Sequence, residues 1–154
     1  MGSERLGGRL RAFLLAIVAL AALGLLTELL LLEHWTSNVQ LVPLATLAAV
    51  LAASGAVAAR PRRRVLRTFR ALMVWASVVG FVGIGFHLRD NLAFEREVTP
   101  EASVPYVTWH ALRGATPLLA PGSLVQLGLI GLVFTYRHPA LCTEGPTTRD
   151  KEKT

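Results

Sequence analysis

The chain has 154 residues, of which 53% are hydrophobic and only 17% are charged, against about 25% charged residues in ordinary soluble domains. Its net charge of +6 would suit nucleic acid, but no nucleic-acid-reading module accompanies the cations, which argues against that class of partner. The length leaves room for one membrane domain and little else.

Four apolar stretches are each about long enough to cross a bilayer as a helix, since a hydrocarbon core of ~30 Å takes about 20 residues. They cover residues 12–32, 41–59, 71–88 and 117–136. We therefore predict an all-α polytopic membrane protein, with residues 1–138 forming an antiparallel four-transmembrane-helix bundle and a short helical outer cap. No Ala-x-Ala cleavage pattern follows the first stretch, so we expect an uncleaved first span rather than a signal peptide.

The charges alternate with these spans. Thirteen of the sixteen Lys and Arg residues lie in segments 1–11, 60–70 and 137–154, which together carry a net charge of +9. The opposite side, Glu28 included, carries −3. Because Lys and Arg resist translocation, we expect both termini in the cytoplasm, with residues 139–154 as a disordered tail. The high Ala, Leu and Arg content favours a bacterial inner membrane.

The densest cationic segment is the connection between spans two and three. We interpret its arginines first as determinants of membrane topology. Such a cluster beside a membrane helix also attracts anionic lipid, by about 1 kcal/mol per cation. The arginines of this segment are Arg60, Arg62, Arg63, Arg64, Arg67 and Arg70.

The outer loop, residues 89–116, is the least generic part of the sequence. Nothing breaks a helix between span three and Thr99-Pro100, so we predict that the third helix continues past the membrane. A second short helix is predicted from Pro105 to Arg113, with Ser103 near its start and Gly114 after its end.

Small residues recur on spans three and four, at Gly80, Gly83, Gly128 and Gly131. We expect them to allow close helix packing within one chain in preference to dimerisation. Pro43 is expected in the first turn of span two, where the missing N–H costs little. Cys142 is the only cysteine, which excludes a structural disulfide within the chain.

Glu28 is the first candidate for a functional site. It lies about one turn inside the first span, where an ionised, unpaired carboxylate costs several kcal/mol. Either the carboxylate is a proton or cation site, or it is a structural group that snorkels or is hydrogen-bonded. The sequence leaves both readings open.

Other polar residues are expected at the level of Glu28, near the outer ends of the spans or on the extended third helix. Histidine with carboxylates is a plausible ligand set for zinc, iron or copper. A haem between His34 and His87 would require spans one and three to be adjacent. The candidates besides Glu28 are His34, Gln40, His87, Asp90, Asn91, Glu95 and Gln126.

The sequence contains no Gly-x-Ser-x-Gly, Walker-type or dinucleotide-binding motif, so it favours a protein that is not an enzyme. Three hypotheses remain. The first is an accessory, interaction or ligand-binding membrane protein with its polar site outside, engaging a protein partner, a second copy or a small ligand. The second is a proton- or cation-coupled transporter centred on Glu28. The third is a transition-metal or haem protein using His34 and His87.

Overall fold

The computed structural model describes residues 2–114 and 119–142, and every regular element in those two ranges is a helix. Three helices are long and apolar enough to cross a membrane, and a fourth apolar helix is shorter. The described part of the chain is thus all-helical, with three candidate membrane-spanning helices. The elements are α1 (Gly2–Leu31), α2 (Asn38–Ala59), α3 (Arg63–Val98), α4 (Val104–Leu112), α5 (Leu119–Thr135) and α6 (Pro139–Cys142).

The first two helices begin earlier than predicted. α1 starts at Gly2, not at residue 12, because the basic N-terminal segment contains no helix breaker strong enough to separate it from the apolar run. α2 starts at Asn38, not at residue 41, because the Gln40 side chain accepts a hydrogen bond from the backbone N–H of Ser37 at 3.1 Å. Pro43 therefore lies in the second turn of α2, and its expected place in the first turn is wrong.

α3 is the longest helix, with 36 residues or about 54 Å at 1.5 Å per residue. It starts at Arg63 rather than residue 71, so four of the clustered arginines lie on its first two turns, and all of them are exposed. It continues to Val98 and ends before Thr99-Pro100, as the sequence predicts. The short helix predicted at 105–113 is present as α4, with Ser103 as its N-cap.

Four helices pack in a closed ring. α1 contacts α2 and α5, and α3 contacts the same two helices, whereas within the described residues α1 does not touch α3 and α2 does not touch α5. α4 contacts α3 alone among the described helices. We call the end of the ring near Arg60 the arginine end and the opposite end the cavity end.

Glycines bring α3 and α5 into their close contact. A Cβ placed on Gly80 would lie 2.8 Å from the backbone oxygen of Pro121 and 2.8 Å from the backbone nitrogen of Val125. A Cβ on Gly128 would lie 2.6 Å from the backbone oxygen of Met73. These glycines thus allow close packing of α3 and α5 within one chain, as the sequence predicts.

The buried core lies toward the arginine end. No residue between 23 and 45 is buried, and none between 81 and 90 is buried. By contrast, α3 and α5 pack tightly toward the arginine end, where the ring of Phe69 meets that of Phe134 edge-on at 5.5 Å between ring centroids. Burial therefore decreases toward the cavity end, although α3 and α5 stay in close contact at Gly80 and Gly83. Fully buried members of the core include Val18, Ala22, Val50, Leu66, Phe69, Met73 and Ala76.

At the arginine end the chain continues into α6, which packs against α3, so the prediction that disorder begins at residue 139 is wrong. The rest of that predicted tail, residues 143–154, lies outside the described residues. Nη2 of Arg11 donates to the backbone oxygen of Arg137 at 3.2 Å, which joins α1 to the end of α5. Burial, and secondarily the charge of Arg11, lowers the pKa of His138, which therefore favours the neutral imidazole.

Candidate functional site

A cavity of about 780 Å³ lies at the cavity end of the ring, between α1, α2, α3 and α5. This volume lies within the usual range of about 300–1,000 Å³ for small-molecule sites. Most of the wall is aliphatic or aromatic, and each of the four helices contributes to it. Representative apolar lining residues are Leu25 and Leu29 on α1, Val42 on α2, Val79 and Val82 on α3, and Leu124 on α5.

Polar side chains are concentrated at one end of this cavity. They come from the last turn of α1, the loop that follows it, the start of α2 and the part of α3 beyond Phe86. Five of the eight candidates from the sequence line the cavity, although the first and the last of them are 62 positions apart in the chain. These five are Glu28, His34, Gln40, His87 and Asp90.

Glu28 lies one turn before the end of α1 and is exposed. Within the described part of the chain its carboxylate makes no ion pair and no hydrogen bond. A carboxylate in that situation needs water, a proton or a bound group to balance its charge. Glu28 is therefore available to a ligand that enters the cavity.

His87 is half-buried, and its Nδ1 is inaccessible to solvent. This nitrogen has no hydrogen-bond partner among the residues that the structure describes. Most buried polar atoms in proteins do have a partner, so an unsatisfied one requires a reason. Because no water-sized molecule reaches Nδ1, a ligand in the cavity would meet the His87 ring elsewhere, at Nε2 or the ring carbons.

Gln40 and Asp90 have structural partners instead. Oε1 of Gln40 accepts hydrogen bonds from the hydroxyl of Thr36 at 2.8 Å and from the backbone N–H of Ser37 at 3.1 Å. Oδ1 of Asp90 accepts from Nε and Nη2 of Arg89 at 3.1 and 3.0 Å. This ion pair is exposed, so it contributes little to stability, but it occupies the one guanidinium on the described cavity wall.

The remaining three candidates do not line this cavity. Asn91 is buried, 3% exposed, and its Nδ2 donates to the backbone oxygen of Ala111 at 3.0 Å, so it holds α4 against α3. Gln126 is exposed between the buried residues Val125 and Leu127 of α5. Glu95 lies two turns beyond His87 on α3, past the cavity.

The metal and haem hypotheses require different arrangements of these residues. Within residues 2–114 and 119–142 no group of three or more His, Cys, Asp and Glu is arranged to hold a metal ion. His34, in the loop after α1, and His87 on α3 line the same cavity, and the haem hypothesis for this pair stays a prediction.

Sequence reasoning missed the far end of the cavity. Trp75 lines it there, and its Nε1 donates to the hydroxyl of Thr46 at 3.1 Å, which links α3 to α2. These two residues are 29 positions apart and belong to no motif. In the sequence, Thr46 and Trp75 stand out only as polar groups within two apolar spans. Nothing in the sequence indicates that they form a hydrogen bond with each other.

Comparisons of the chain with protein-family models, with curated proteins and with solved structures found no match. Its function is therefore inferred from the chemistry of the cavity. An apolar volume with polar groups at one end suits a molecule that has an apolar body and a polar head.

Proposed function

We propose that this protein is a non-enzymatic, ligand-binding integral membrane protein that holds an amphiphilic small molecule at its outer side. The proposal is based on one observation: a mostly apolar cavity has the side chains of Glu28 and His87 together at one end. The apolar wall would take the body of the ligand, and these two side chains would take its head. A binding site of this kind suits an accessory protein that presents or senses a membrane-soluble compound.

The proposal includes a four-helix bundle in the membrane. α5 supplies the fourth span: its 17 residues cover about 26 Å, close to the ~30 Å hydrocarbon core. α3 is about 24 Å longer than that core, so its last turns and α4 would form the outer cap. The cap exposes Tyr106 and Trp109, aromatic residues suited to the membrane interface or to a protein partner.

The proposed orientation places the arginine end in the cytoplasm of a bacterial inner-membrane protein, where the cluster would also meet anionic lipid. We expect a membrane-impermeant maleimide applied to intact cells to label Thr108→Cys on α4 and to spare Arg62→Cys, both in a Cys142→Ser background. Both positions are exposed on the protein, so a difference in labelling should reflect only the side of the membrane on which each lies. Labelling of Arg62→Cys with sparing of Thr108→Cys would reverse the orientation and move the cavity to the cytoplasmic side.

Ligand binding is tested by filling the cavity. We expect the wild-type protein, purified in mild detergent, to retain a small amphiphile that native mass spectrometry detects at near-equal stoichiometry. Val79→Trp places an indole within the apolar wall and should lower the bound fraction at least tenfold, because the ligand and the new side chain need the same volume.

The matched control is Val133→Trp, since Val133 is exposed on α5 and does not line the cavity. This variant should retain the ligand at the wild-type level. Equal retention by both tryptophan variants, or a wild-type protein that neither retains nor takes up any amphiphile, would contradict the proposed function.

The alternative is a small proton- or cation-coupled transporter, favoured by the cavity position of Glu28 without an ion-pair partner among the described residues. Because four helices rarely enclose a transport path alone, this alternative requires an oligomer. It predicts that Glu28→Gln abolishes a flux measured in proteoliposomes. A binding protein would show no protein-dependent flux to lose.

A further inference from the structure

The charged side chains on the described cavity wall favour a cation over an anion. They are Glu28 on α1 and the neighbouring residues Arg89 and Asp90 on α3. Arg89 and Asp90 neutralise each other as an ion pair. Glu28 makes no ion pair among the described residues, so the wall keeps one uncompensated negative charge when its two histidines are neutral. This charge repels an anionic head and attracts a cationic one.

The guanidinium of Arg89 is already held by two other lining residues. Its Nε and Nη2 both donate to Oδ1 of Asp90, at 3.1 and 3.0 Å. Its Cζ lies 5.8 Å from the centroid of the Phe86 ring, a distance typical of a cation–π contact. To bind a phosphate or carboxylate head, Arg89 would have to give up these partners, whereas Glu28 has none to give up among the residues that the structure describes.

The hydrogen-bonding capacity left at the polar end belongs mainly to carboxylate oxygens. Within the described residues neither oxygen of Glu28 accepts a hydrogen bond, and Oδ2 of Asp90 accepts none. Oε1 of Gln40 already accepts two. An ionised carboxylate accepts hydrogen bonds and donates none, and its bonds to charged donors are short and strong. A cationic head with N–H groups therefore fits this end better than a quaternary ammonium, which has no hydrogen to donate.

The rest of the wall requires that the cation bring an apolar body. Beyond the polar end the lining is aliphatic or aromatic, with Leu47, Val79 and Trp75 among its members. Such a surface offers nothing to replace the water around a small inorganic cation. Along α3 the lining residues run from His87 back to Trp75, which is twelve residues or about 18 Å. This length gives room for an alkyl chain or a ring system behind the charged head.

We infer that the ligand is a lipophilic amine in its protonated form, with the Glu28 carboxylate as the partner of its ammonium group. This inference rests on the proposed function and names the class of its ligand. The ammonium group donates to Glu28, and the apolar body lies along Val79 toward Trp75. Glu28 thus selects the charge of the head, while the apolar wall holds the body. The assignment concerns binding alone and includes no transport step.

The test uses the full chain in nanodiscs of zwitterionic lipid, with Trp35→Phe and Trp109→Phe so that Trp75 is the one tryptophan left. ω-Bromodecylamine is titrated at neutral pH, and its bromine quenches Trp75 when the chain enters the cavity. Quenching by probe dissolved in the lipid grows in proportion to the amount added and is subtracted. We expect a saturable component that gives the Kd.

The charge of Glu28 is tested by Glu28→Gln, which keeps the size of the side chain. This variant should raise the Kd of the amine at least tenfold, because it removes a hydrogen bond between two charged groups. Glu33→Gln is the matched control and should change the Kd less than twofold, since Glu33 is also exposed but does not line the cavity. Equal shifts in the two variants would contradict the role of Glu28.

Probes with the same bromodecyl tail separate the two levels of inference. The alcohol is neutral, the sulfate is anionic and the trimethylammonium has no N–H, so each should bind at least tenfold more weakly than the amine. If any of the three binds as tightly as the amine, the cavity still binds amphiphiles, but the assignment to a protonated amine is wrong. If no bromodecyl probe quenches Trp75 saturably, the amine inference fails, and if Val79→Trp also leaves amphiphile retention unchanged, the proposed function fails with it.

Discussion

Gly80→Ala is expected to lower the stability of the protein by about 1–3 kcal/mol, although alanine is the better helix former by about 1 kcal/mol. The added methyl group would meet the backbone oxygen of Pro121 and the backbone nitrogen of Val125, each at 2.8 Å. Backbone atoms of a packed helix cannot move aside alone, so α3 and α5 must separate. The free energy of unfolding in mild detergent, measured by denaturant titration, gives the magnitude.

The control for this prediction is Gly85→Ala, five residues further along the same helix. A Cβ at Gly85 would meet no atom within 4 Å, so only the gain in helix propensity remains, and stability should stay equal or rise slightly. Equal effects at the two glycines would show that the close approach of α3 and α5 at Gly80 is not the packing of the folded protein.

Asn91→Ala is expected to free α4 from α3. The lost hydrogen bond to Ala111 and the space left beside Gly114 should cost about 1–3 kcal/mol, which corresponds to roughly a 5- to 150-fold rise in local opening. Because α4 contacts no other described helix, the loss should be confined to it. Amide hydrogen exchange would show reduced protection across Val104–Leu112, with α1 and α2 unchanged.

Glu97→Ala serves as the control for α4 docking, since Glu97 is an exposed residue on the same extension of α3. It should leave the exchange of α4 unchanged. If Asn91→Ala instead lowers protection along all helices equally, α4 is not a separately held element, and Asn91 supports the whole fold.

The outer part of α3 carries four polar candidates, and only two of them line the cavity. The four are His87, Asp90, Asn91 and Glu95. A helix turns about 100° per residue, so Asp90 and Asn91 lie on opposite sides of His87, about 60° and 40° away around the axis. His87 and Asp90 line the cavity, whereas Asn91 holds α4. The polar residues of this helix thus divide between the cavity wall and the attachment of α4. The sequence spacing places these polar residues close together on the surface of α3. It does not say which of them line the cavity and which hold α4.

The sequence by itself determined the elements. The third helix had to run on to Thr99-Pro100, because no breaker precedes that pair and proline disfavours helical geometry in the residue before it. The short helix after Ser103 followed from its cap and its apolar spacing. The helix starts were less predictable from hydropathy. The start of α2 depends on the capping interaction of Gln40, and α1 and α3 include basic residues that lie outside the apolar stretches.

Only the tertiary structure decided which polar residues meet. Glu28 and His87 lie toward the cavity end of α1 and α3, and His34 lies in the loop after α1, so the sequence places all three at a similar level. Whether a side chain at that level turns toward the cavity, a neighbouring helix or the outside depends on the rotation of each helix about its axis. Glycine contacts between α3 and α5 set that rotation, and they leave Gln126 outside the cavity while His87 lines it.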